Sequence, residues 1–115
     1  MCYPRRAVAG ASIPAHARLE TYSVLTRMPS PHRLAPSMVA DLLGRRFPVG
    51  ATIAPAVRLS RTIVERCRAS GVDGGSVYDA LVGLTAAESD LTLLTRDERA
   101  ARTYRRLGID FDLMN

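Results

Sequence analysis

A chain of 115 residues has room for one small domain, and 47% hydrophobic with 23% charged residues is a mixture that can build one core. All 16 basic residues are arginine and they exceed the 11 acids by five, giving a formal charge of +5 that suits a polyanion or an acidic partner protein. Two cysteines, Cys2 and Cys67, argue against a disulfide framework. No apolar run reaches the roughly 20 residues of a membrane-spanning helix. Arg5 and Arg6 followed by residues 7–13 imitate a signal peptide faintly, but the apolar stretch is short and stops at Pro14. A soluble, cytoplasmic protein without a membrane partner is expected.

Taken in chain order, Ser12 can cap a helix over 14–27 with Pro14 in its first turn and Ala15, Leu19, Tyr22 and Leu25 at helical spacing. Pro29 and Pro31 end it. A second helix is expected over 36–47, with Met38, Leu42 and Leu43 on its apolar side, followed by a brief strand within 51–54. Ala56, Leu59, Ile63 and Cys67 form the apolar stripe of a third helix, which Gly71 terminates. Ser76 can cap a fourth helix that carries Val77, Leu81 and Leu84 inward. A compact strand, Leu91–Thr95, comes next. The last helix begins at Thr95 or Asp97, buries Ala101, Tyr104 and Leu107, and closes at Gly108 before a strand over 109–113. Helices and strands alternating at this length predict crossover units, a parallel sheet and an α/β layered fold.

Three of the acids sit where such a scaffold can gather them. Asp97 follows the C-terminal end of a strand, where parallel sheets place their sites. Asp79 lies in the first turn of a helix, and Glu20 lies in mid-helix. Clustered carboxylates are the hard oxygen donors that Mg²⁺ or Mn²⁺ takes, and a cation offsets their repulsion and activates water for attack on a phosphodiester. Each acid also has a plain structural role open to it. Ser76 to Asp79 and Thr95 to Glu98 both have capping-box spacing, and Glu20 can be a solvated helix residue or a partner of Arg27 or Arg18. His16 and His32 lack a ligand-like spacing, and Cys67 reads as core. Arg99, Arg102 and Arg106 share one face of the last helix, which is either a solvated face or a track for RNA phosphates.

The run from Val77 to Leu81, the run from Leu91 to Asp97, the helix with Tyr104 and the closing strand together resemble the C-terminal half of VapC-type PIN domains. Glu20 to Arg27, followed by Pro29 and Arg33-Leu34, resembles the segment carrying that family's second acid. The resemblance implies a PIN-like parallel sheet with helices on both faces and a Mg²⁺ or Mn²⁺ site. It also implies RNA cleavage, a homodimer and inhibition by a cognate antitoxin. Glu20, Asp79 and Asp97 then correspond to the second, third and fourth acids as metal ligands and catalytic groups. The first acid has no counterpart, because residues 1–10 contain none. Residues 1–11 are accordingly expected to be a tail or partial strand, and 12–115 a partial PIN domain lacking the family's first strand. A catalytically impaired remnant that only dimerises or binds an antitoxin is the alternative.

Overall fold

The protein is described by a computed structural model covering residues 2–4 and 11–114. Its elements run β1 (Cys2–Pro4), β2 (Ile13–Pro14), α1 (Ala15–Arg27), α2 (Pro36–Arg46), β3 (Thr52–Ile53), α3 (Val57–Ala69), α4 (Ser76–Glu88), β4 (Leu91–Thr95), α5 (Glu98–Leu107) and β5 (Phe111–Leu113). The order matches the α/β expectation. Of the expected tail 1–11, only Cys2–Pro4 and Ala11 fall among the described residues.

The strands form two sheets. In one, β4 is central, parallel to β5 and antiparallel to β1, with Cys2 opposite Leu93 and Pro4 opposite Leu91. The other is the parallel pair of β2 and β3. Among the described residues no strand joins the two. Pro4 is tolerated because β1 is an edge strand, where a missing backbone donor can face away from the ladder.

α4 is the central helix. Its residues from Ala80 to Ala86 are buried except Leu81, so it is apolar nearly all round, as a helix enclosed by neighbours must be. Leu59 of α3, Val82 and Leu84 of α4, Leu93 of β4, Ala100 and Tyr104 of α5 and Ile109 make the main core. Cys67, Val72 and Ala80 make a smaller one under the α3–α4 turn, where the free thiol of Cys67 is buried and pushed up in pKa by that burial. Gly71 and Gly108 follow their helices with φ of +68° and +67°, the left-handed conformation that only glycine adopts at little cost.

Several local expectations are corrected. Ser12 does not cap α1: Pro14 is the N-cap, because the residues before it are held extended in β2. α1 fully buries no residue, and Leu19 is 65% exposed, since the helix lies over the outside of the fold. α2 buries Leu43 as expected but turns Val39 inward with it and leaves Met38 and Leu42 in solvent, a rotation of the expected face that accompanies its packing on α1. Ser76 caps nothing. Gly75 already has helical dihedrals, and the N–H groups of Val77 and Tyr78 bond to the carbonyls of Gly74 and Gly75 at 3.2 and 3.3 Å, so Ser76 lies inside the first turn.

Candidate active site

α1, α4 and α5 meet at the C-terminal half of β4, around an open cleft of about 350 Å³. Glu20 and Thr21 enter it from α1, Asp79 and Val82 from α4, Leu94 and Thr95 from β4, and Ala100 and Tyr104 from α5. Glu20 and Asp79, 59 residues apart in sequence, therefore line one depression.

Glu20 is exposed on α1 and pairs with His16, one turn earlier, at 3.3 Å. Of the plain roles open to Glu20, that of a solvated helix residue holds, and its partner is His16 and not Arg18 or Arg27. Arg18 instead donates to the carbonyl of Phe47 at 2.7 Å and to Thr52 Oγ1 at 2.9 Å, fastening α1 to the link before β3. The His16 ring also stacks on Tyr78, with centroids 5.3 Å apart and planes inclined by 7°. His16 thus ties the Glu20 turn to the residue beside Asp79. Sequence reading missed this, although the i, i+4 spacing of His16 and Glu20 was visible.

Asp79 is half-buried in the first turn of α4 and performs no capping there. Burial raises its carboxyl pKa most, and the negative charges of Asp97 and Glu20 raise it further, while Arg99 and His16 pull the other way. Tyr104, 4% exposed under the cleft, responds to the same field. Its phenol is driven well above the ordinary range, first by burial and then by Asp79, Asp97 and Glu20. Asp97 and Glu20 so act on both groups, and Asp79 adds its own charge at Tyr104.

Asp97 is the N-cap of α5, its carboxylate accepting from the N–H groups of Arg99 at 2.9 Å and Ala100 at 3.3 Å. The plain capping role expected for it is real. The cap sits two residues later than the Thr95-to-Glu98 box, with Thr95 Oγ1 accepting from the Asp97 N–H at 3.1 Å. Asp97 does not line the cleft but acts electrostatically on Asp79.

Carboxylate oxygens suit a hard divalent cation, and two of them facing one cleft is the donor number with which Mg²⁺ commonly binds while keeping several waters. Among the described residues no group of three His, Cys, Asp or Glu stands close enough to enclose a metal. The residues present fit a partly hydrated cation, not a closed cage.

The strand–helix order, the parallel β4–β5 pair and the acid-lined cleft at the strand end define an α/β domain of one type. The PIN domain description matches residues 5–106, and the chain belongs to that family. Two Mycobacterium tuberculosis proteins are similar over most of the chain. Ribonuclease VapC40 (strain H37Rv) is 42% identical over 109 residues, covering 91% of this chain and 78% of the relative. Ribonuclease VapC27 of the same strain is 47% identical over 102 residues, covering 86% and 71%. No solved structure matches the chain. Among the described residues no helix is long and apolar enough to cross a membrane.

Proposed function

We propose that this chain is a VapC-like endoribonuclease that hydrolyses RNA phosphodiester bonds with Mg²⁺ or Mn²⁺ held by Glu20, Asp79 and Asp97. The observation that carries this reading is the convergence of Glu20 and Asp79 on one cleft, under the electrostatic influence of Asp97, in a PIN domain whose relatives are named ribonucleases. The bound cation supplies charge neutralisation and an activated water. The protein supplies the placement. The α5 N–H groups orient the Asp97 carboxylate, the first turn of α4 presents Asp79 half-shielded from solvent, and His16 steadies Glu20. Apolar Leu94 and Val82 line the cleft beside the carboxylates.

The reading includes a cognate antitoxin, a homodimer and a cytoplasmic site of action. Exposed Leu19 and Val24 of α1 and Met38 and Leu42 of α2 support a protein partner on that side. The test is RNA cleavage by the purified chain with Mg²⁺, with Mn²⁺ and with EDTA. Cleavage is expected only with a divalent ion, and Asp79→Asn is expected to lower it by roughly 100-fold or more. Metal-independent cleavage, or cleavage indifferent to Asp79→Asn, overturns the assignment. The position of Asp97 outside the cleft that Glu20 and Asp79 line favours one second reading, an impaired PIN domain that only binds an antitoxin or a second copy. A chain inert with every divalent ion yet still able to bind its antitoxin identifies that case.

A further inference from the structure

We propose that Arg99, Arg102 and Arg106 form a phosphate subsite that holds the RNA backbone beside the acidic cleft; the inference rests on the ribonuclease reading and extends it to a substrate-positioning site. The three side chains line a separate cavity of about 220 Å³, together with Ser76, Thr103 and Asp73. Three guanidinium groups against the single carboxylate of Asp73 leave the cavity positive. Guanidinium is the fork-shaped donor that matches phosphate oxygens in pairs. Arg106 is already fixed, its Nη1 donating to the Gly71 carbonyl at 2.7 Å across the rim. Arg102 is exposed and forms no ion pair among the described residues.

The cavity and the cleft adjoin through shared helical turns. In α4, Ser76 lines the cavity and Asp79, in the same turn, lines the cleft. In α5, Ala100 and Tyr104 face the cleft, while Arg99, Arg102 and Arg106 follow i, i+3 and i+7 spacing along the next face. Arg99 stands at the join: its backbone N–H bonds Asp97, its side chain lines the cavity, and its charge reaches Asp79. A polyanion with one phosphate at the carboxylates has its neighbouring phosphates along this face.

The measurement is fluorescence anisotropy of a labelled single-stranded RNA oligonucleotide with the Asp79→Asn protein in Mg²⁺, repeated across a NaCl series. Arg102→Ala in that background is expected to weaken binding and to reduce the slope of log affinity against log salt by roughly 0.7, the value of one lost single-strand phosphate contact. Arg105→Ala is the control. It removes an equal charge from the same helix, but that side chain lies over the Phe111 ring, outside the cavity. RNA binding with a slope unchanged by Arg102→Ala, or lowered equally by Arg105→Ala, overturns the subsite and leaves the ribonuclease reading standing. No RNA binding at all by the parent overturns both. Loss of binding to an acidic peptide, with RNA binding intact, assigns the cavity to a protein partner and also overturns the proposal.

Discussion

Asp79 carries a charge that its surroundings oppose, because burial and two neighbouring acids all disfavour its ionisation. An unfolded Asp titrates near 3.8, and in the native state the value is higher. Between the two, the native protein holds more protons than the unfolded chain, so stability falls as pH rises through that window. Above it the penalty is fully present. Asp79→Asn, although expected to impair cleavage, is therefore expected to melt higher than the wild type at pH 7 in EDTA. Differential scanning calorimetry checks this, and the difference should vanish once pH falls below 3.8. An Asn variant that melts lower at neutral pH would show Asp79 to be a structural anchor.

At the level of elements, α4 and α5 approach each other through Gly83, and this contact shapes the floor of the cleft. A Cβ at that position would stand 2.8 Å from Tyr104 Cδ1 and 2.7 Å from Ile109 Cδ1. The isoleucine tip can turn aside, but the buried tyrosine ring cannot move without disturbing the cleft it lines. Gly83→Ala, despite the better helix propensity of alanine, is expected to cost about 1–3 kcal/mol in urea denaturation. A neutral or stabilising result would mean that the two helices can separate there. The elements themselves were largely legible in the sequence: β4 keeps the bounds 91–95 that its apolar run marked, and α5 ends at the glycine expected to stop it. Helix starts were less legible. Ser12 and Ser76 look like caps, but whether a serine precedes or enters the first turn depends on the dihedrals of the residues before it, and these are set by β2 and by Gly75. The inward face failed for α1 and held only at Leu43 for α2, since each is partly covered and periodicity marks apolarity without naming what covers it. For the candidate site, the three acids could be nominated because each sits near an element end or in a polar gap, whereas the His16–Tyr78 stack joins residues 62 positions apart and only tertiary packing reveals it.

Across the whole molecule, stability is expected to be uneven because the sheet is divided. β4 has a neighbour on each side and packs on the central helix, whereas β2 and β3 pair over two residues each. In native-state hydrogen exchange, amides of β4 should approach the global unfolding free energy, of order 5–15 kcal/mol for a domain. Those of β2 and β3 should exchange through smaller openings. Equal protection in both sheets would refute this view and mark the domain as a single cooperative unit.

The two depressions on either side of α5 have opposite signs, one formed around Glu20 and Asp79 and the other around three arginines. A strand of phosphates diffusing in is repelled by one and drawn to the other, and its capture should slow steeply as added salt shortens the range of both fields. Such an uneven landing surface sets an order of events: the strand is gripped by its flank before any of its bonds comes near the carboxylates.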